Sequence, residues 1–174
     1  MALVQRQDSA AFTLLLDRHL APLGRFLYRF SGSAADADEL AQESFLRIWK
    51  EASRWQPNRV RFTTWLYRIA RNLAIDRHRR RRELTSEDVP EAIDDADPAD
   101  ALEAEERRRR VRAAIEALPE RQRSALLLCH FQGFSNQEAA DVLEVSVDAL
   151  ESLLARARRA LKSSLRTLVE GVTS

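Results

Sequence analysis

The sequence is poor in the residues that punctuate or staple other fold classes. Its 174 residues include four Gly, five Pro and one Cys. Cys129 alone permits no intrachain disulfide and no cysteine cluster for zinc, so nothing asks for an oxidising compartment. So few glycines exclude the phosphate loops of most nucleotide folds, and the shortage of Val, Ile, Thr and Tyr beside Ala, Leu, Arg and Glu argues against a sheet. No apolar run approaches the ~18 residues of a membrane span, and no basic segment leads into an apolar one as in a signal peptide. The expectation is a cytoplasmic chain with no membrane insertion. His19, His78 and His130 are far apart, without metal-ligand spacing or a nucleophile motif nearby, so no catalytic residue, metal or cofactor is expected and the chain is not read as an enzyme.

What the chain does hold is charge, arranged in blocks. Met1 to Arg82 carries 16 basic and 8 acidic residues (net +8), Glu83 to Glu106 carries 0 and 11 (net −11), and Arg107 to Ser174 carries 12 and 8 (net +4). Of the 28 basic residues 26 are Arg, the side chain suited to forked recognition of phosphate and guanine. The acidic stretch has two prolines and no apolar stripe until Ala101, which marks a linker. The chain therefore divides into a domain over residues 1–82, an acidic linker over 83–100 and a second domain over 101–174. The linker is either folded back over its basic neighbours by charge attraction or a solvated spacer whose charge serves solubility.

The apolar periodicity is helical throughout, and the expected fold is all-α. Phe12, Leu15, Leu16, Leu20, Leu23, Phe26, Leu27 and Phe30 recur at three- and four-residue spacing, with Pro22 expected to split them into two helices before Gly32 ends the pair. Asp36-x-x-Glu39 suggests a capping box for a helix to about Ala52, and Thr63 or Thr64 a cap for one running into Arg79 to Arg82. After the linker, one helix stops at Pro119, another follows from Glu120 to Gln132, and two short ones open at Ser135-x-x-Glu138 and at Ser146. That last pair has the length and capping of a helix-turn-helix, whose second helix would present Arg156, Arg158, Arg159 and Lys162 to DNA. Cys129 and His130 sit mid-helix, read as a buried thiol and a partly buried imidazole.

Two helix surfaces carry more than a core stripe. At about 100° per residue, Arg68, Arg71, Asn72, Ile75 and Arg79 share one arc, with Trp65 at its edge, while Phe62, Leu66, Ile69 and Leu73 lie opposite. An indole beside an amide and guanidinium groups suits unstacked bases, offering a π-face and donors together. On the helix from Asp36, Ala37, Ala41, Phe45, Ile48 and Ala52 form the core stripe. Leu46 falls outside it and joins Gln42 and Trp49 as a second apolar strip beside Asp38, Glu39 and Glu43, either a partner surface or the seat of another helix.

The strings DADELAQESFLRIWKEA, RFTTWLYRIARNLAIDRHRRRR, ALPERQRSALLL and FSNQEAADVLEVSVDALESLLARARRALK together resemble the extracytoplasmic-function class of bacterial RNA polymerase sigma factors. The match covers both domains and spares the termini and linker. It implies a DNA-binding transcription factor of the stress-response kind, whose partners are core RNA polymerase, promoter DNA and an anti-sigma factor. By that resemblance Asp36, Glu39, Leu40, Gln42, Glu43 and Phe45 belong to the polymerase-docking motif, joined by Leu46 and Trp49 from the apolar strip. Arg61 to Arg80 match the segment that opens promoter DNA about ten base pairs upstream of the start, giving Arg61, Trp65, Arg68, Arg71, Asn72, Arg79 and Arg80 as candidate contacts. The loop Trp55 to Val60, with Asn58, matches the segment that captures a flipped base. The helix-turn-helix would read an element about thirty-five base pairs upstream through Ser146, Asp148, Glu151, Arg156, Arg158 and Arg159. Glu151 and Leu153 depart from the family, which commonly has basic residues there. The alternative is a helix-turn-helix repressor or activator that acts without polymerase, which leaves Trp65 and Leu46 unexplained.

Overall fold

A computed structural model describes residues 1–56, 60–84 and 100–170. Among the described residues there is no strand, and seven α-helices carry the fold: α1 (Ser9–Ser31), α2 (Ala34–Glu51), α3 (Phe62–Leu84), α4 (Asp100–Glu116), α5 (Glu120–Leu126), α6 (Asn136–Leu143) and α7 (Val147–Glu170). Helices α1 to α3 pack together as the first domain and α4 to α7 as the second. The acidic stretch falls largely on residues 85–99, outside the described residues. Among the described residues no helix is long and apolar enough to cross a membrane.

The helix ends follow their capping chemistry, with three departures from expectation. Asp8 opens α1 by accepting from the Ala11 N–H at 2.9 Å, and Gly32 closes it at φ +74°, its N–H bonded to the Tyr28 carbonyl at 2.9 Å. Pro22 does not split the helix. Its interior position costs about 3 kcal/mol, but Leu23, Phe26, Leu27 and Phe30 on the same helix are all buried, each worth about 1.5–3 kcal/mol, so packing prevails. The cap of α2 is Ser33 rather than Asp36: the Ser33 hydroxyl accepts from the Asp36 N–H at 3.2 Å, leaving the Asp36 carboxylate for other partners. Helix α3 begins at Phe62, which puts Thr63 and Thr64 inside its first turn, Thr64 buried.

The second domain matches its caps more closely. Ser135 and Glu138 form a full capping box at α6, and the Ser146 hydroxyl accepts from the Ala149 N–H at 3.2 Å at the start of α7. Between them Glu144 takes the left-handed conformation (φ 55°) that turns one helix into the next. Helix α5 stops short of Gln132 because Leu127–Phe131 widens into a π turn, a local feature frequent at functional sites. Buried side chains from both domains form one continuous cluster, from Leu23, Phe26, Leu40 and Leu66 through Ile115 and Leu118 to Leu127, Leu150 and Leu154. The two domains are therefore docked, and the seam runs along α3 and the C-terminal half of α1.

Candidate nucleic-acid interface

The basic face of α3 meets the second domain. Arg61 pairs with Glu138, and Arg68 donates to the Asp141 carbonyl at 2.5 Å and pairs with the Glu144 carboxylate at 3.1 Å. Arg71 donates through Nε to the Ser124 hydroxyl at 3.2 Å and through a terminal nitrogen to the side-chain oxygen of Asn72. Tyr67 donates to the side-chain oxygen of Gln132 at 2.9 Å, and its ring lies 4.9 Å from that of Phe134. Burial raises the Tyr67 phenol to about 12, so it is a neutral donor, and burial also lowers the Arg71 pKa. Glu138, Asp141 and Glu144 recur every third residue on α6 and its cap. The helix thus supplies charged and carbonyl acceptors to the guanidinium groups of α3.

The remaining candidates on α3 separate into two groups. Trp65 is half-buried, its ring 6.5 Å from Phe62 and packed at the edge of the core. Asn72, Arg79 and Arg80 are exposed. Ile75, which the helical wheel placed on the basic arc, packs against the core. Asn58 lies outside the described residues.

On α2 the two apolar strips behave differently. Leu40 and Phe45, both expected in the docking motif, are core residues at 1% and 2% exposure and brace the helix from beneath. Leu46 is 57% exposed, with Gln42 and Glu43 exposed beside it, and among the described residues no helix covers it. Trp49 is half-buried, with the ring of Phe12 of α1 packed against it at a tilt, centroids 4.8 Å apart. The carboxylates at the start of α2 are engaged by α3: Arg77 reaches Asp36 at 3.0 Å and Glu39 at 2.7 Å, and Arg81 reaches Asp36 at 3.1 Å. These arginines belong to the first domain's own structure.

On the helix-turn-helix, Ser146, Asp148, Arg156 and Arg159 are exposed, and Arg158 lies 3.3 Å from Nε2 of His130. His130 is exposed, contrary to the partly buried imidazole expected, because the π turn rotates it out of the helical stripe. Cys129 is half-buried, where a buried thiol was expected, and desolvation raises its pKa against the opposing pull of Arg158. Glu151 accepts from the Asn136 side chain at 3.2 Å and ties the two helices together at their N-terminal ends. Leu153 packs against the core, which accounts for a leucine at that position.

Sequence reasoning passed over Arg123, which the structure places at the heart of the seam. It is 5% exposed, donates to the carbonyls of Phe30 (2.8 Å), Leu118 (3.2 Å) and Glu116, and lies over the Phe30 ring. One guanidinium thus ends α1 and α4 together.

The architecture matches known proteins in both halves. Residues 15–83 match the family described as Sigma-70 region 2 and residues 108–161 that described as Sigma-70, region 4. The chain is 30% identical over 177 residues to the ECF RNA polymerase sigma factor SigW of Bacillus subtilis, covering 95% of this chain and 94% of that one. This chain belongs to the extracytoplasmic-function sigma factors. It is also 33% identical over 156 residues to SigE of Mycolicibacterium smegmatis, spanning 87% of this chain and 60% of that protein. Among solved structures, CnrH in complex with the cytosolic domain of CnrY superposes with a TM-score of 0.74 at 28% identity, over 95% of this chain and 94% of the other. A sigma factor of this class binds core RNA polymerase and directs promoter-specific initiation, and that is the activity of this protein.

Proposed function

We propose that this sigma factor rests in a closed form in which α6 occupies the DNA face of α3, and that docking on core polymerase opens it. The observation that carries this reading is the answering of Arg61 and Arg68 by Glu138, Asp141 and Glu144. A repressor or activator working alone needs its basic face free, whereas a sigma factor must stay silent until polymerase engages it. The exposed strip of Leu46, Gln42 and Glu43 on α2 is the docking surface, with Glu39, Asp36 and Trp49 at its margin. Once the domains part, Arg61, Arg68, Arg71 and Asn72, continued by Arg79 and Arg80, hold the upstream edge of the opened promoter. Trp65 lends a ring edge to that site, and Asn58 takes part in capturing a flipped base. The helix-turn-helix reads the upstream element, with Arg156, Arg158 and Arg159 on phosphates and Ser146, Asp148 and Glu151 near the groove.

The catalytic chemistry of transcription belongs to the polymerase, and the sigma factor works beside it in the cytoplasm. An anti-sigma factor that grips the closed form is the second protein partner this reading supports, in line with the solved complex of CnrH with a cytosolic domain. Run-off transcription with core polymerase on genomic fragments tests the reading. Specific transcripts that need both components are expected, together with weak promoter binding by the sigma factor alone. Tight, sequence-specific footprints without polymerase would favour an autonomous regulator.

A further inference from the structure

Where α1 and α4 approach each other, the two domains leave a groove of about 460 Å³, within the range of small-molecule sites. Its floor is apolar and built from both sides: Tyr28 of α1, Val111 and Ile115 of α4, and Phe131 of the π turn. Val111 and Phe131 remain 39% and 44% exposed. The rim is cationic, with Arg25 and Arg29 on one side and Arg107, Arg108 and Arg112 on the other, and no carboxylate lines it among the described residues. Glu105 approaches Arg108 at 3.4 Å from one turn back, and the Glu116 carboxylate is turned onto Gly32. A cleft of this charge concentrates anions, and its floor favours an anion that carries apolar surface.

The floor also selects the shape of that apolar surface. Arg29 and Arg112 lie over the rings of Phe131 and Tyr28, at 4.9 and 5.2 Å, a posture that leaves guanidinium edges for an anion. Each ring thus already carries a cation on one face. The aliphatic side chains of Val111 and Ile115 complete the floor, which suits an alkyl chain better than a flat aromatic system. We propose that the groove is a binding site for a free single-chain amphiphilic anion, a fatty-acid-like molecule with its chain on the floor and its head on the arginine rim. The site rests on the closed-form reading above, because the groove has a wall in each domain. A ligand that touches both walls binds the closed form alone and holds the sigma factor silent. By linkage, polymerase docking weakens the ligand by the same factor as the ligand weakens docking.

The test titrates dodecanoate, kept below the concentration at which it forms micelles, into the full-length chain by isothermal titration calorimetry. Dodecyltrimethylammonium supplies the same chain with the opposite charge, acetate the head alone, and phosphatidylglycerol vesicles the same chemistry at a membrane surface. Fluorophores at Ser53→Cys and Ala117→Cys, both exposed positions, in a Cys129→Ser background report domain closure in parallel. The expected result is one dodecanoate per closed chain, with affinity falling up to about fourfold for each methylene removed and no saturable binding of acetate or the cationic amphiphile. Val111→Asp should lower the affinity about tenfold or more, and Arg108→Glu, at a side chain 73% exposed, about threefold, both with energy transfer unchanged. Dodecanoate at about ten times its dissociation constant should raise the midpoint of a polymerase titration about tenfold. A closed chain that takes the cationic amphiphile equally well, keeps its affinity in both variants, or docks on polymerase at an unchanged midpoint would overturn the proposal and leave the closed form standing. So would vesicles or an acidic amphipathic peptide binding where the free anion does not. Labels that report separated domains in the free protein would overturn both.

Discussion

The seam along α3 can be loosened without touching either core, by combining Tyr67→Phe with Glu144→Gln. Phe keeps the ring that packs on Phe26 at 5.2 Å and on Phe134 at 4.9 Å, and removes the hydroxyl that donates to Gln132. That bond contributes about 0.5–1.5 kcal/mol. Because burial raises the phenol to about 12, it persists through the physiological pH range. Glu144 is 64% exposed at its side chain, so its pair with Arg68 contributes about 0.2–1 kcal/mol and weakens with salt. If the two act independently, their combined loss shifts the closed-to-open ratio by about 3- to 70-fold. Energy transfer between labels at residues 53 and 117 should fall, and the radius of gyration in small-angle scattering should grow. Polymerase-free binding to a promoter fragment, measured at about 50 mM salt where phosphate contacts are strong, should rise as Arg68 is released. An unchanged transfer efficiency with unchanged DNA affinity would refute the reasoning.

The other predictions concern single sites. Leu46→Asp should lower affinity for core polymerase about tenfold or more while changing unfolding stability by less than about 0.5 kcal/mol, read by a binding assay beside urea denaturation; equal affinity would remove Leu46 from the docking surface. Arg123→Met strands three carbonyls and should cost about 2–4 kcal/mol in urea unfolding. Gly32→Ala should cost about 1 kcal/mol or more, because residue 32 sits at φ +74° and a side chain there would meet the Glu116 carboxylate. Glu138→Ala should remove the capping box at a cost of about 0.3–1.5 kcal/mol. The backbone N–H and hydroxyl of Ser135 hold the Glu138 carboxyl below its ordinary value, so its contribution is complete above the unfolded carboxyl pKa and is lost as pH falls through the folded one; the variant should show a shallower acid limb.

Local signals in the sequence were strongest where one residue and its near neighbours decide the outcome. Gly32, Pro119, Ser146 and the Ser135–Glu138 box all mark helix ends where expected, since each acts within one turn. Pro22, Asp36 and Thr64 misled for the opposite reason. Tertiary burial of Phe26 and Phe30 outweighs the proline, Ser33 is the better-placed cap, and Asp36 is held by two arginines about forty residues away. The helical wheel separated Leu46 from Phe45 correctly, one exposed and the other in the core. It also isolated the basic face of α3, but periodicity within one helix says nothing about what lies across from it. The sign was in another element: Glu138 and Glu144 place two carboxylates on the first helix of a helix-turn-helix and its cap, facing α3, whereas the third acceptor is the main-chain carbonyl of Asp141, which leaves no trace in the sequence. Arg123 left no such trace, because its partners are backbone carbonyls, which any sequence supplies.

The central claim is that core polymerase converts a closed sigma factor into an open one. Energy transfer across the seam, from Ser53→Cys to Ala117→Cys in the Cys129→Ser chain, tests it most directly when core polymerase is titrated in. High transfer is expected in the free protein, falling in step with polymerase occupancy and with the appearance of promoter-specific transcripts. Transfer that stays high in a transcribing complex, or that is already low in the free protein, would contradict it.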